Sequence, residues 1–142
     1  MATAFFAGSF DPFTVGHLNI VERARAMFDR VIVGIGVNSE KTSSAEVEDR
    51  VAAIRAACPG VEVVAYDGLT AVAAREHGAT VLLRSLRDSA DLAYETPIAE
   101  ANRREFGIET VFLLAQPELA HISSSLVREL MRYGHDVSHL KA

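Results

Sequence analysis

The stretch AGSFDPFTVGH, residues 7–17, sets a glycine, a hydroxyl, an Asp-Pro pair and a histidine in close succession. Gly8 lets backbone approach a ligand closely, Ser9 offers a hydroxyl and an N–H, and Asp11-Pro12 signals a turn. Thr14 suits the cap of a following helix. Gly16 leaves space over the first helical turn, and His17 stands in that turn. A helix N-terminus carries unpaired N–H groups and partial positive charge, which favour an anion. A histidine there adds a directional donor for a phosphate oxygen. The same spacing also fits a plain capped helix whose His17 bonds a neighbouring carbonyl, and spacing alone leaves both readings open.

Other anion-binding groups recur further along. "LLRSLR" places Arg84 and Arg87 three apart where an apolar run gives way to polar chain. A guanidinium makes bidentate, charge-assisted bonds to phosphate, although Asp88 and Asp91 are equally available partners. Lys41 lies in the polar stretch "NSEKTSS", either a phosphate contact or a solvated loop lysine. In "HISSSLVREL", Ser123, Ser124 and Ser125 precede a helical pattern; they fit an anion cradle, or one cap with two bystanders. Competing chemistries find little support. "GIGVNS" (34–39) lacks the third glycine of a dinucleotide fingerprint, and no P-loop or Gly-x-Ser-x-Gly elbow occurs. The five histidines show no metal-ligand spacing with Cys or Glu; His135 and His139 are expected on a solvated, frayed terminus.

These groups require elements to bring them together. Short, nearly continuous apolar runs at residues 4–6, 31–37, 61–66, 81–83 and 110–114 read as strands covered on both faces. Helical periodicity fills residues 16–27, 45–57, 70–76, 91–104 and 124–133, with Pro97 expected to kink or break the fourth helix. The alternation predicts an α/β fold: one Rossmann-like domain over residues 1–142, an open parallel five-stranded sheet with helices on both faces. In such sheets ligands bind beyond the carboxyl ends of the strands, where the strand order reverses. The polar segments above all follow predicted strands.

Composition bounds the partners. The 142 residues are 49% hydrophobic and 23% charged, with a formal net charge of −5. That balance argues against a diffuse nucleic-acid surface and leaves room for a basic pocket. Cys58 is the only cysteine, which excludes an intrachain disulfide and fits a reducing compartment. No basic leader precedes "TAFFAGS" and no apolar run approaches the ~20 residues of a membrane helix, so a cytoplasmic protein without membrane partners is expected.

The motifs resemble one family throughout. "GSFDPFTVGH" resembles the signature region of the HIGH-type nucleotidyltransferases, and the nearer likeness is to the phosphopantetheine adenylyltransferases. It extends over Lys41, "EDRVAAI" (48–54), "YDGLT" (66–70), Arg84–Arg87, Tyr94-Glu95 and "ISSSLVREL" (122–130). The resemblance implies adenylyl transfer from ATP to 4′-phosphopantetheine, with His17, Lys41 and Arg87 as catalytic residues. It implies Ser9, Lys41, Thr70 and Arg84 for the acceptor. For the nucleotide it implies Ser9, Phe10, His17, Ser85, Leu86, Arg87, Glu95, Ile122, Ser123, Ser124 and Ser125. It further implies Mg²⁺ accompanying ATP with no dedicated protein metal site, a homohexamer, and coenzyme A as an inhibitor.

Three departures stand out: Ser85 where the family usually has glycine, His121 where an aromatic often precedes the serines, and little chain after Val137 for a C-terminal helix. The first two bear on nucleotide affinity and the third on subunit packing. A related transferase with another phosphorylated acceptor, or a noncatalytic nucleotide-binding module, are the alternatives.

Overall fold

The computed structural model describes residues 1–142. The elements follow in alternation: β1 (Thr3–Gly8), α1 (Val15–Met27), β2 (Arg30–Gly36), α2 (Ser44–Ala57), β3 (Glu62–Tyr66), α3 (Thr70–Glu76), β4 (Val81–Leu86), α4 (Ser89–Phe106), β5 (Glu109–Leu114), a 3-10 turn (Pro117–Leu119) and α5 (Ser124–Arg132). The strands pair in parallel in the order β3-β2-β1-β4-β5. The chain first builds outward from β1 to β3, then returns to the other side of β1 with β4. The order therefore reverses between β1 and β4, and the segments leaving those two strands flank a crevice.

Alternation along β1 divides the core. Phe6 faces one side with Ile20, Val21 and Ala24 of α1 and Ile54 of α2. Phe5 and Ala7 face the other with Ala71 and Ala74 of α3 and Ile108. Because side chains alternate across a strand, this apolar run buries both faces of the sheet. Gly34 has a specific reason here: a Cβ would come within 2.2 Å of the Phe5 ring. No helix is long and apolar enough to cross a membrane.

The five strands and five helices match the expected set, with three differences. β4 extends to Leu86, so Arg84, Ser85 and Leu86 lie on the strand rather than beyond it. Its pairing with β5 continues through Leu86↔Leu114, and that pairing overrides the polar character of Arg84 and Ser85. α4 runs from Ser89 to Phe106 straight through Pro97. Proline removes one main-chain donor, the one that would reach the Ala93 carbonyl, while Asp88 still caps the start at 2.9 Å. One missing bond does not break so long a helix.

The third difference concerns the terminus, which is not frayed. After α5 the chain returns to α1, where Val15 N–H donates to the Leu140 carbonyl at 2.9 Å and Ala142 N–H to the Phe13 carbonyl at 3.1 Å. Val137 and Leu140 are buried with Ile122 and Val127, while His135 and His139 remain exposed.

Candidate active site

The segment leaving β1 folds around an imidazole. Phe10 adopts the left-handed region at φ 48°, an uncommon conformation for a bulky residue. Its ring covers Gly8 so closely that a Cβ there would lie 3.0 Å from the ring. Phe10 meets the His17 ring edge-on at 4.9 Å between centroids, and Phe13 stacks on it at 5.5 Å. Thr14, itself buried, caps α1: its hydroxyl accepts from His17 N–H at 3.3 Å, and its own N–H donates to His17 Nδ1 at 3.0 Å. A capping box ordinarily uses Glu or Gln at this third position; here the imidazole takes that role.

The box fixes the chemistry of the ring. Nδ1 accepts a main-chain proton, so the neutral ring carries its own proton on Nε2. Burial, and after it the nearby Arg84 and Arg87 charges, push the His17 pKa down to about 4. At neutral pH His17 is thus an uncharged donor of known tautomer. His17 thus joins the cap through the Thr14 N–H rather than through a carbonyl, and its Nε2 stays without a partner inside the chain.

The facing wall comes from β4 and α4. Arg84 donates through Nε to Glu95 at 2.9 Å, through Nη2 to the same carboxylate, and through Nη1 to the Ala7 carbonyl. It thereby ties the end of β4 to the end of β1. Glu95 is only 6% exposed. Just beyond the strand, Arg87 holds Asp91 through Nε at 3.1 Å and its own N–H at 2.9 Å. Burial would raise the Asp91 pKa, but the Arg87 bonds outweigh it and the carboxyl sits below its ordinary range.

The third wall is the start of α5, where the serines divide their work. Ser123 caps the helix by accepting from Leu126 N–H at 3.1 Å, and Ser124 donates to the Pro12 carbonyl at 2.8 Å. Ser125 accepts from Arg128 at 3.2 Å, while Arg128 also donates to the Asp11 carbonyl at 2.6 Å. Together these walls enclose a cleft of about 390 Å³ lined by Ser9, Phe10, His17, Ser85, Arg87 and the Ile122–Ser125 turn, with Arg84 and Glu95 at its edge. Sequence reasoning missed Arg128, Asp91 and Tyr94 as lining residues. The signals were there: Arg128 is one turn beyond Ser125, and Asp91 is four beyond Arg87.

A second cavity of about 290 Å³ adjoins the first, sharing Gly8, Ser9, Arg84, Tyr94 and Glu95. Thr70 lines it, its hydroxyl 2.8 Å from that of Tyr66, together with Gly36, Asn102 and Thr110. Thr110 Oγ1 is buried without a hydrogen-bond partner. Two expected site residues line neither cavity. Lys41 is exposed in the turn after β2, its N–H bonded to the Asn38 carbonyl, and the Leu86 side chain is buried.

The switch point of this open α/β sheet gathers imidazole, guanidinium and hydroxyl groups around one cleft. The cytidylyltransferase-like family model matches residues 5–130, which makes this a nucleotidyltransferase. A phosphopantetheine adenylyltransferase of Porphyromonas gingivalis is 46% identical over 138 residues, covering 95% of this chain and 90% of that one. Another from Leuconostoc citreum is 45% identical, covering 96% and 88%. The chain belongs to the phosphopantetheine adenylyltransferase family. The fold also matches the crystal structure of a Vibrio parahaemolyticus protein described as a putative nicotinate-nucleotide adenylyltransferase, with TM-score 0.66, 16% identity and coverage of 100% and 94%. A Francisella tularensis bifunctional NMN adenylyltransferase/ADP ribose pyrophosphatase, complexed with AMP and a manganese ion, matches at TM-score 0.62 and 15% identity, covering 99% of this chain and 44% of that one.

Proposed function

We propose that the protein transfers the adenylyl group of ATP to 4′-phosphopantetheine, giving dephospho-coenzyme A and pyrophosphate. A phosphate oxygen of the acceptor attacks the α-phosphorus in line, and the bond to the bridging oxygen of pyrophosphate breaks. The acceptor phosphate is already an anionic nucleophile, so no side chain has to remove a proton. The site must supply alignment and charge neutralisation. His17, neutral with its proton on Nε2, donates to the α-phosphate as charge develops there. Arg87 and Ser123–Ser125 hold the triphosphate, with Phe10, Ser85, Leu86, Glu95 and Ile122 contributing main-chain or side-chain contacts to the nucleotide.

The adjoining cavity takes the acceptor: its phosphate lies by Ser9 and Arg84, and its pantetheine arm runs toward Thr70. Lys41, on the neighbouring turn, closes over that phosphate when substrate binds. Asp91 and Glu95, the carboxylates lining the cleft, each hold an arginine. Mg²⁺ therefore rides on ATP phosphates and water rather than on a protein cage. A cytoplasmic homohexamer, inhibited by coenzyme A, completes the reading.

The observation that carries it is the capped, neutral His17 standing opposite Arg84 and Arg87 in a cleft continuous with a second cavity. Pyrophosphate release tests the reaction, with phosphopantetheine, glycerol phosphate and nicotinamide mononucleotide compared as acceptors. Release with phosphopantetheine alone supports it. Preference for another acceptor moves the assignment to a sibling transferase, and tight ATP binding without release to a noncatalytic module.

A further inference from the structure

The histidine proposed for catalysis is oriented by a main-chain N–H, and that N–H belongs to a residue held from both sides by residues 140–142. Thr14 forms an antiparallel bridge with Lys141. Its preceding residue accepts from Ala142 N–H and its following residue donates to the Leu140 carbonyl, at 3.1 and 2.9 Å. The returning segment also holds itself in a turn, because the N–H groups of Leu140 and Lys141 both donate to the Val137 carbonyl. Val137 and Leu140, each 7% exposed, pack with Ile122 and Val127, and Val15 and Leu119 press on the same cluster. The tail thus spans the two cleft walls that come from α1 and α5.

We propose that the segment from Val137 to Ala142 is a positioning segment for the reaction: it holds Thr14 so that His17 keeps its proton on the nitrogen that faces the phosphates. This rests on the adenylyl-transfer reading given above. None of these tail residues lines the cleft, so the segment acts through Thr14 and not by touching substrate. If the segment detaches, Phe13 and Val15 lose their main-chain partners and the Thr14 N–H is no longer aimed at Nδ1. The ring is then free to rotate, to exchange tautomers and to gain a proton. Charged groups facing it come from each element around the cleft: Arg84 on β4, Arg87 beyond it, Asp91 and Glu95 on α4, and Arg128 on α5. Because displacement of a reacting group by about 1 Å costs up to ~100-fold in rate, a loosened histidine is expected to affect turnover more than binding.

The test compares Leu140→Ala and Ala142→Pro, which remove the apolar anchor and the donor to Phe13, with Leu140→Met as the conservative variant. Leu130→Ala serves as a control that loosens the same cluster away from Thr14. Each full-length variant is checked for folding by thermal unfolding, and its imidazole nitrogens are followed by NMR across pH 3.5–8, with His17→Gln identifying the resonance. Expected results for Leu140→Ala and Ala142→Pro are a turnover about 10- to 100-fold lower, a KM for ATP within about threefold, and a His17 pKa moved up from about 4 toward 6.5. Leu140→Met and Leu130→Ala should keep the wild-type ring signal. Unchanged ring signals in folded Leu140→Ala and Ala142→Pro overturn the proposal, as does an equal turnover loss in Leu130→Ala. Wild-type protein that keeps the Nε2–H signature yet releases no pyrophosphate contradicts the transfer reading and leaves the positioning result standing.

Discussion

The two cavities at the rim of the sheet are built in opposite ways. Around His17 several polar groups are already committed to another part of the chain: Thr14 to the imidazole, Ser124 to Pro12, Arg128 to Asp11, Arg87 to Asp91. The adjoining cavity also holds bonded pairs, Arg84 with Glu95 and Tyr66 with Thr70, but leaves other groups open. Thr110 Oγ1 has no partner, Leu69 before α3 supplies no side-chain cap, and the lysine expected there lies outside in an exposed turn. The difference is what a transferase of this kind needs. Groups that stabilise developing charge are effective only if they need no rearrangement during the reaction, whereas groups that recognise an incoming acceptor can close when it arrives.

The contrast can be broken most forcefully at His17. His17→Ala should lower kcat by on the order of 10²–10³, the usual cost of one preorganised donor, with ATP affinity nearly unchanged by calorimetry. Equal losses in binding and turnover would mean that the ring merely holds ground-state nucleotide.

The pH dependence of stability sharpens the same side. The folded pKa of about 4 lies below the ordinary value of 6.5 because burial, then Arg84 and Arg87, disfavour the imidazolium. Between those values the unfolded chain binds a proton that the folded chain does not. Stability therefore falls as pH is lowered through that window, by up to about 3 kcal/mol. His17→Gln should flatten that part of the curve in denaturant titrations at pH 4–7; an unaltered slope would show that the ring is not held neutral.

On the acceptor side the effects should be smaller. Lys41→Ala should raise the KM for phosphopantetheine by about tenfold, as for loss of one charge-assisted bond, and leave the KM for ATP and the thermal stability alone. Thr110→Val should stabilise the free protein by up to about 1 kcal/mol, since it removes an orphaned hydroxyl in favour of a methyl of the same shape. A stability loss instead would show that Thr110 is satisfied in the free state.

Much of this was readable in the residues because its signals are local. Continuous apolarity marked the buried parallel strands, Thr14 marked the start of α1, and the polar segments after the strands marked the rim where His17, Arg87 and the serines meet. The features that escaped depend on distant partners. Pairing with β5 carries β4 through Arg84 and Ser85. The Asp88 cap and the helical turns on either side carry α4 through Pro97. The return of Leu140 to Val15 joins residues 125 apart in the chain, with only the three-residue spacing of Val137 and Leu140 to hint at a buried face. The committed state of Ser124, bonded to Pro12 rather than left open, likewise depends on how two remote loops meet.

The most direct measurement is a crystal structure with a nonhydrolysable ATP analogue. The account predicts an α-phosphate oxygen about 3 Å from His17 Nε2, the outer phosphates between Arg87 and the Ser123–Ser125 turn, and the capping bond from Thr14 to Nδ1 intact. A triphosphate seated elsewhere, or a His17 ring turned away from it with Nδ1 protonated, would contradict it.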